Sequence, residues 1–451
     1  MPARLIESLA TTGALADVFS DESILQAMLD FEAALARAEA RLGVIPEAAA
    51  GAIGKAARVQ GFSPGKLAAQ ALRAGTPGIP LVKALTQRVR STDQDAARYV
   101  HWGATSQDVA DTALVLLLKQ SQVFLKADLA RLEKGLQQLS QQYKNTIMLG
   151  RTLLQAAPPV TFGLKAAGWL GAVRRGRERL DNAFAEALVV QFGGASGTLA
   201  VLGRKGPEVA RALASELKLS LPEAPWHSHR DRIAALVAAC GVLTGSLGKM
   251  ARDISLLMQN EVAEVSEPGG QGRGGSSTMP HKRNPIGSVV ALAAAQRVPA
   301  LVASFLGGMV QEHERGAGGW QAEWPTIAAV LQSTGVAAAS MAEVAEGLSV
   351  DQSRMGVNLE NTHGAVFAER AAGLLIPALG RESAHKILEE AAGKSAKQNR
   401  RLSEVLAEFP EVTSHLERAQ LRDLENPRAY LGSAETFRKA LTSSSRAKSK
   451  K

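Results

Sequence analysis

The chain is poor in cysteine and in aromatic residues, and both shortages narrow the chemistry available to it. Cys240 is the one cysteine among 451 residues, so the chain can form neither an internal disulfide bond nor a metal site of several thiolates. Such a chain suits a reducing compartment, and we expect a cytoplasmic protein. Aromatic residues make up only 4% of the sequence, which argues against the base-stacking surfaces of proteins that bind single-stranded nucleic acid.

Long apolar runs are also missing. No uninterrupted apolar stretch of about 18 residues occurs, which predicts that no segment of the chain spans a membrane. The first residues, MPARLIESLATTGALADVF, include acidic side chains and lack a continuous apolar core, so they do not have the pattern of a signal peptide. Both absences agree with the expected cytoplasmic location.

Positive charge exceeds negative charge, with 52 Lys and Arg residues against 43 Asp and Glu residues and a formal net charge of +9. Four positive charges lie in the last six residues, so the rest of the chain carries +5. These four residues are Arg446, Lys448, Lys450 and Lys451. We interpret the polar tail as a solubilising end, with an RNA-binding arm as the alternative. The balance favours an enzyme for small anionic substrates, without a nucleic-acid partner.

Helix-forming residues are abundant, and long windows contain no proline, which together predict long helices. In two windows the apolar residues are spaced alternately three and four apart, the repeat of helices that pack side by side in a bundle. The two series are Leu125, Leu129, Leu132, Leu136, Leu139 and Tyr143, and Leu236, Cys240, Leu243, Leu247, Met250, Ile254 and Leu257. Helices of about thirty residues are about 45 Å long, so we expect an elongated bundle that oligomerises along its length.

The positions of the prolines divide the chain into three predicted domains. Residues 1–110 hold short helices separated by prolines, and residues 111–345 hold the long helices. Residues 346–451 form a smaller helical domain that ends in the disordered basic tail. The predicted fold class is therefore all-α, with a central bundle of long helices.

One glycine-rich segment, Pro268–Pro285, lies between two long helical windows. Its glycines formally match the dinucleotide fingerprint GxGxxG, but Pro280 and Pro285 interrupt the helix that must follow such a fingerprint. A flexible linker is the plain alternative for a Gly/Ser run. The hydroxyls, cations and amide of the sequence SSTMPHKRNP instead predict a mobile loop that closes on an anion.

GSSTMPHKRNP, which begins at Gly275, resembles the signature loop of the fumarase/aspartase superfamily, whose members make or break a bond β to a carboxylate. HWGATSQD, beginning at His101, and GRTLLQ, beginning at Gly150, resemble two further regions of that superfamily. TPGIP from Thr76 and QEHER from Gln311 extend the similarity over nearly the whole chain. The resemblance implies an all-α, three-domain homotetramer with a central long-helix bundle, in which three subunits share each active site.

The resemblance also implies a mechanism that passes through an aci-carboxylate, a dianionic enediolate that must be stabilised by donors and cations. Carried over residue by residue, Ser276 is the catalytic residue that transfers the proton. The implied substrate-binding residues are His101, Thr105, Ser106, Gln155, Ser277, Lys282, Asn284 and Arg315. No metal and no cofactor is implied, and the expected partner is a small polycarboxylate. For Thr105 and Ser106 an alternative stays open, because both residues could cap a helix that begins near Asp108.

Leu153 departs from the superfamily pattern, because many members carry a histidine there that protonates the leaving group. Leucine transfers no proton, so an amine or hydroxide would leave without the general acid that typically contributes about 10²–10⁴-fold to the rate. A carboxylate, with a pKa near about 4, needs no such proton. We therefore expect the branch in which a carboxylate of a triacid adds to a double bond and closes a lactone.

Adenylosuccinate lyase is the second hypothesis, because its sequence motifs are much the same as those quoted above. Its segment after His-Glu-Arg is rich in serine and ends in an arginine that binds phosphate, whereas here Gly316–Trp324 lacks the serines and ends in Trp324. Losing hydroxyl donors and a bidentate cation weakens phosphate binding. A third hypothesis is a catalytically silent scaffold, which the intact Ser276, Lys282 and Asn284 argue against.

Two further sequence features, the segment from His227 to Arg232 and Cys240, are not assigned to metal binding or catalysis. His227 and His229 lack the HExxH spacing of a zinc site. We expect them, with Arg230 and Arg232, near a substrate-facing or interface surface, with a helix cap as the alternative. Cys240 falls on the apolar repeat and is predicted to serve packing.

Overall fold

The computed structural model describes residues 5–270, 274–275, 278–279 and 282–443, and helices account for most of them. In chain order the elements are α1 (Gly13–Val18), α2 (Asp21–Arg41), α3 (Glu47–Ala56), α4 (Pro64–Ala74), α5 (Gly78–Arg90), α6 (Ser106–Gln142), β1 (Ile147–Thr152), β2 (Gln155–Thr161), α7 (Phe162–Ala187), α8 (Gly206–Leu217), α9 (Asp231–Leu257), β3 (Val265–Ser266), α10 (Ile286–Gly307), α11 (Gly319–Gly347), β4 (Ser349–Val350), α12 (Gln352–Glu360), α13 (Ala368–Leu379), α14 (Arg381–Gln398), α15 (Leu402–Leu406), α16 (Pro410–Thr413), α17 (Arg418–Leu424) and α18 (Ala434–Thr442). The strands pair as β1 with β2 and β3 with β4, both antiparallel. The predicted all-α fold class is confirmed.

The described chain forms two compact units. The first unit comprises residues up to Ala130, Arg175–Gly248 and Val290–Met341. The second unit comprises Arg131–Arg174, Lys249–Val289 and the residues from Ala342 onward. The three-domain division at residues 110 and 345 stays a prediction.

The apolar repeats read from the sequence lie where the long helices are. The series from Leu236 to Leu257 falls within α9 and is buried at every position. The series that starts at Leu125 falls within α6 and is buried as far as Leu139, while Tyr143 follows the end of the helix and is half-buried. A repeat of 3.5 residues keeps these side chains on one face of each helix, which is why the pattern predicted both helices.

The core of the first unit is built around α2, which packs on α3 and α8. Ser20 begins α2 by accepting a hydrogen bond from the Ser23 N–H, and Phe31 in the middle of the helix is fully buried. Cys240 of α9 is fully buried, so the packing role predicted for it is confirmed. Burial raises the pKa of the Cys240 thiol to about 12, which leaves it without a reactive thiolate at neutral pH.

The second unit has its own apolar core, formed by α13, α14, α15 and α17. Ala371, Leu402, Val405 and Leu406 are fully buried in it. The β1–β2 hairpin belongs to the same unit, and Leu149 of β1 is part of this core. The core therefore supports the hairpin from one side.

The hairpin turn is formed by two leucines. Thr152 pairs with Gln155, so Leu153 and Leu154 form a two-residue loop, with φ angles of 50° and 66°. Both angles lie in the left-handed region, where a leucine costs on the order of 1–3 kcal/mol and Asn-Gly is the favoured pair. The two side chains are 96% and 74% exposed. In the isolated chain this turn therefore combines a strained backbone with exposed apolar surface.

By length and composition alone, three of the described helices are apolar enough to cross a membrane. They are α9, α10 and α11. This finding differs from the expectation, based on uninterrupted apolar runs, that no segment of the chain spans a membrane. Most of the apolar window is buried within the fold in α9 and α11, at 61% and 67% of its residues. In α10 only 28% of the window is buried, so this helix presents a largely apolar surface that the single chain does not cover.

A carboxylic acid is enclosed in the first unit, on α2. Glu39 is fully buried, and neither of its carboxyl oxygens has a hydrogen-bond partner among the described residues. Burial, reinforced by the charge of Glu32, raises the pKa of the Glu39 carboxyl to about 9. Glu39 therefore keeps its proton at neutral pH, and the first unit encloses an uncharged acid.

Replacing Glu39 by Gln is expected to change how stability depends on pH. The unfolded chain releases this proton near pH 4.5 and the folded chain only near 9, so the wild type loses stability as pH rises through that window. The loss is about 1.4 kcal/mol per pH unit, and Glu39→Gln removes it. Thermal unfolding between about pH 5 and 9 measures the difference.

The matched control is Glu22→Gln, at an exposed position in the first turn of the same helix. Its unfolding temperature is expected to follow the wild type across the pH range. If the Glu39 variant also keeps a constant offset from the wild type, then Glu39 is ionised in the fold and its assignment as a neutral acid is wrong.

Candidate functional site

The predicted site residues fall into two groups. His101, Thr105, Ser106 and Arg315 belong to the first unit, whereas Gln155, Lys282 and Asn284 belong to the second unit. Ser276 and Ser277, together with His281 of the same loop, lie outside the described residues.

The segment that leads into α6, together with the first residue of that helix, carries three of the first group. Helix α6 begins at Ser106, and the Thr105 N–H donates to Asp108 Oδ2 at 3.0 Å. The Thr105 hydroxyl does not cap the helix; it accepts from Arg315 Nη1 at 3.3 Å. Gly78, at the start of α5, lies so close that a Cβ there would be 2.8 Å from the Ser106 Cβ, so the TPGIP segment needs glycine to pack here.

Asp108 holds the neighbouring loop in place. Its carboxylate accepts from the Gly193 N–H at 3.0 Å, from the Gly194 N–H at 2.9 Å and from Gln191 Nε2 at 3.2 Å. His227 Nε2 also contacts Asp108 Oδ1, at 2.7 Å. Gly194 has a φ of 68°, a conformation that glycine adopts at little cost. One buried carboxylate thus fixes the start of α6, the glycine loop and His227.

His227 is therefore a buried partner of Asp108 and does not belong to a substrate-facing surface. The expectation based on its sequence neighbourhood is wrong for this residue. Zinc spacing was absent from the sequence, and no group of three His, Cys, Asp or Glu side chains suited to a metal occurs within the part of the chain that the structure describes.

Arg315 lies against the same glycine loop. Its Nη2 donates to the Ala195 carbonyl at 2.8 Å and its Nη1 to Thr105. The described contacts of this half-buried side chain are to hydroxyl and carbonyl oxygens, and no ion pair of Arg315 occurs among the described residues. Its positive charge therefore remains available to an anionic ligand.

His101 has a partner that the sequence did not reveal. Its Nδ1 lies 2.6 Å from Glu32 Oε1, and the Glu32 side chain is fully buried within α2. Burial disfavours the charged imidazolium, but the charge and hydrogen bond of Glu32, with a contribution from Asp108, outweigh burial and raise the pKa of His101. No motif joins residues 32 and 101, so only the fold brings them together.

Arg230 is not at a surface, which corrects the prediction for this residue. Its guanidinium is fully buried and pairs with Asp111 at 2.8 Å and with Glu323 at 2.7 Å. Trp226 packs its ring on the guanidinium at 4.7 Å, and Trp320 Nε1 donates to Asp111 Oδ1 at 2.9 Å. Burial alone would lower the pKa of Arg230, but the charges of Asp111 and Glu323 raise it, so the cation is retained.

Arg232 behaves differently from Arg230, although it is only two residues away. It is partly exposed and pairs with Glu223, itself a largely exposed side chain, at 2.7 Å. This arginine thus lies near the surface, as the sequence analysis expected. Arg230, in contrast, stabilises the fold as the buried partner of Asp111 and Glu323.

Trp324 lines an apolar cavity of the first unit. The cavity has a volume of about 240 Å³, and Phe19, Met28, Pro77 and Leu114 also line it. Trp320 meets Trp324 edge to face, with ring centroids 4.7 Å apart. The two tryptophans of Gly316–Trp324 therefore serve packing and the buried charge cluster, and they provide no phosphate ligand.

Two residues of the second group, Lys282 and Asn284, lie along a cleft in the second unit. Lys282, Arg283 and Asn284 line this cleft, which has a volume of about 1010 Å³. The Asn284 N–H donates to the Gly274 carbonyl at 2.8 Å, which holds together the two ends of the loop. Lys282 is exposed at its edge, and Gln155 lies at the start of β2, exposed beside the leucine turn.

Comparison with known proteins identifies the family to which the chain belongs. The model of the lyase family matches residues 8–300, and that of the adenylosuccinate lyase C-terminus matches residues 364–441. The chain belongs to this lyase family, within the fumarase/aspartase superfamily. The resemblance inferred from the loop is confirmed.

Individual relatives show which members of this family the chain is similar to. The chain is 49% identical to 3-carboxy-cis,cis-muconate cycloisomerase of Bradyrhizobium diazoefficiens, with 96% of each chain covered. It is 44% identical to nitrosuccinate lyase of Streptomyces davaonensis, with 92% of this chain and 89% of the relative covered. The crystal structure of 3-carboxy-cis,cis-muconate lactonizing enzyme from Pseudomonas putida matches with a TM-score of 0.90 at 45% identity, covering 97% of this chain and 98% of that one.

Arg230→Met is expected to destabilise the protein by about 3–5 kcal/mol, because it leaves Asp111 and Glu323 buried without a cation. Thermal unfolding and the yield of folded protein measure the loss. The triple variant Asp111→Asn, Arg230→Met and Glu323→Gln is expected to recover part of the stability, since it removes the unpaired charges.

Arg232→Met is the matched control, because its ion pair is open to solvent. We expect a much smaller change in its unfolding temperature. Equal unfolding temperatures for the two single variants would contradict a structural role for the buried cluster.

Proposed function

We propose that the protein is an enzyme, a 3-carboxy-cis,cis-muconate cycloisomerase. It converts its substrate to 4-carboxymuconolactone in the degradation of protocatechuate, in the cytoplasm and without a metal or cofactor. The observation that carries the proposal is the 49% identity to an enzyme of that name over nearly the whole of both chains.

The reaction keeps every heavy atom of the substrate and adds one proton, so the trianionic triacid becomes a dianionic lactone, and the group that donates the proton regains it from water. One carboxylate oxygen of the triacid forms a bond to a carbon of the conjugated double bond, and the displaced electron pair moves onto a neighbouring carboxylate. The resulting aci-carboxylate is then protonated at carbon. We assign that proton transfer to Ser276, and we assign binding of the carboxylates to Ser277, Lys282 and Asn284.

The first-unit residues supply the donors for a second carboxylate. Arg315 lies beside Thr105 and forms no ion pair with any described residue, and His101 is held near the same segment with a raised pKa. Ser106 of the first unit and Gln155 of the second unit are assigned to the same task. A triacid with three negative charges is the kind of ligand that such a set of cations and hydroxyls binds.

The position of Leu153 supports lactonisation. It occupies the exposed tip of the hairpin, two residues before Gln155, where other members of the superfamily place an acid. Leucine gives no proton to a leaving group, and lactonisation needs none, because a carboxylate is the group that adds or leaves.

Adenylosuccinate lyase fits the structure less well. Its phosphate site would need donors in Gly316–Trp324, but Trp320 is buried on Asp111 and Trp324 faces an apolar cavity. An apolar cavity of about 240 Å³ holds no phosphate.

We also propose that four copies assemble and that three of them share each active site. Three features support this: the predicted residues are divided between two units, the apolar surface of α10 is largely uncovered, and the leucine turn is exposed. Ile286, Val289 and Leu306 are the large apolar side chains that α10 exposes. Assembly buries such surface, and contacts at the tip offset the strain of Leu153 and Leu154.

The wild-type protein is expected to consume 3-carboxy-cis,cis-muconate, with loss of the absorbance of its conjugated diene. Adenylosuccinate and nitrosuccinate are tested in parallel, with fumarate and nitrite as the products measured. Turnover of the muconate alone, or at the highest kcat/KM, supports the proposal.

Each other result of these three assays assigns a different function to the protein. Release of fumarate from adenylosuccinate without loss of diene absorbance makes the protein an adenylosuccinate lyase. Release of nitrite alone assigns it to nitrosuccinate. With no turnover of any of the three compounds, the protein is a silent scaffold and the proposal is wrong.

Complementation tests the shared site. Ser276→Ala and Arg315→Met are each expected to abolish lactonisation, because one removes the proton-transferring group and the other a carboxylate-binding cation. Co-expression of the two variants is expected to restore part of the activity, since some mixed assemblies contain an intact site. Sedimentation measures whether the active species is a tetramer.

Lys386→Met, at an exposed position of α14, is the control variant. It takes the place of one of the two variants in co-expression, and on its own it is expected to lactonise the substrate like the wild type. Near-normal turnover by Ser276→Ala would transfer the proton-donating role to another residue, with His101 the next candidate. A fully active monomer would contradict the shared site.

A further inference from the structure

His101 and Glu32 form a contact that the proposed mechanism does not yet use. His101 lies in the turn before α6 with a φ of 63°, in the left-handed region, and its ring is mostly enclosed. Its Nδ1 is 2.6 Å from Glu32 Oε1. A carboxylate only accepts hydrogen bonds, so Nδ1 carries the hydrogen and donates it. The second ring nitrogen, Nε2, is then the one left to contact a ligand.

Among the described residues, the hydrogen bond of Glu32 to a titratable side chain is the one with His101, and the fold encloses the Glu32 side chain completely. Its side chain is fully buried, and its Oε2 has no hydrogen-bond partner in the described ranges of the chain. A buried carboxylate is costly unless it is paired, so its pairing with His101 favours the imidazolium form of that residue. The Nε2 of an imidazolium carries a hydrogen, which it can donate to an anionic oxygen.

The other charged groups near this pair do not replace Glu32. Asp108 on α6 contributes to the charge on His101, but its oxygens already accept from five donors, including His227. Arg315 carries positive charge beside Thr105, which disfavours a second cation nearby. Glu39, on the same helix as Glu32, is neutral below about pH 9. Glu32 is therefore the group that sets the state of His101.

We propose that Glu32 is a positioning residue, which fixes the His101 ring and holds it as an imidazolium whose Nε2–H binds a carboxylate of the substrate. The inference rests on the proposed function, because it assigns His101 to the substrate site. Its geometry is that of a carboxylate that orients a histidine from behind, the arrangement that catalytic histidines use in other folds. Glu32 itself touches no substrate.

Glu32→Gln tests the proposal, because it keeps the size of the side chain and removes its charge. The probe is tricarballylate, a saturated tricarboxylate, and calorimetry measures its affinity between about pH 6.5 and 9, where its carboxylates are ionised. In the wild type we expect affinity to fall as pH rises and His101 loses its proton. In Glu32→Gln the midpoint of that fall is expected to move down by about one pH unit, with affinity about tenfold weaker near pH 7.5.

Lactonisation supplies a second readout. In Glu32→Gln we expect KM for 3-carboxy-cis,cis-muconate to rise about tenfold and kcat to change less than about threefold, because the lost interaction holds the ground state and the transition state alike. If the wild type shows no lactonisation, the proposed function fails, and the calorimetric titration still decides the role of Glu32.

Two further variants separate positioning from mere folding. Glu39→Gln changes a buried glutamate of the same helix that is already neutral, so its binding curve is expected to overlay that of the wild type. In a His101→Asn background, Glu32→Gln is expected to have no further effect on affinity, since its effect passes through His101.

Three results would overturn the proposal. The first is an unchanged midpoint in Glu32→Gln, the second an equal loss of affinity in the His101→Asn background, and the third an equal shift in Glu39→Gln. Glu32→Asp keeps the charge one methylene farther from the ring, and its midpoint is expected between those of the wild type and Glu32→Gln. If Glu32→Gln does not fold, a wild-type midpoint in Glu32→Asp would overturn the proposal instead.

Discussion

A single buried carboxylate, that of Asp108, organises the polar part of the first unit. It lies in the first turn of α6 and accepts hydrogen bonds from the backbone before the helix, from the glycine loop and from two side chains. Each of these donors would otherwise be buried without a partner, at a cost of about 1–3 kcal/mol. Thr105, Arg315 and the loop that Arg315 contacts therefore take their positions from Asp108.

The first unit uses its positive charges in two distinct ways. Arg230 is neutralised on both sides by Asp111 and Glu323 and supports the packing of Trp226 and Trp320. Arg315 contacts only carbonyl and hydroxyl oxygens, so its charge is not compensated by any residue that the structure describes. Only a cation that stays uncompensated can contribute strongly to binding a triacid. The net charge of the sequence does not distinguish these two roles.

The sequence predicted features that depend on local spacing or on a contiguous motif. The apolar repeat predicted α6 and α9 because every third or fourth side chain is buried, and the motifs placed Thr105 and Arg315 at one site. It could not predict that Glu32 meets His101 or that Arg230 is enclosed, because those pairs join residues 69 and 119 positions apart. The β1–β2 hairpin was also missed, since leucines in a left-handed turn give no turn signal.

The leucine turn has a consequence for engineering the protein. Asn-Gly at positions 153 and 154 would suit the turn better and would remove exposed apolar surface, so stability screens on the isolated chain favour that replacement. In the assembly proposed above, the same change would remove side chains that fit a neighbouring copy. Selection for a more stable subunit and selection for a working enzyme therefore act in opposite directions at these two residues.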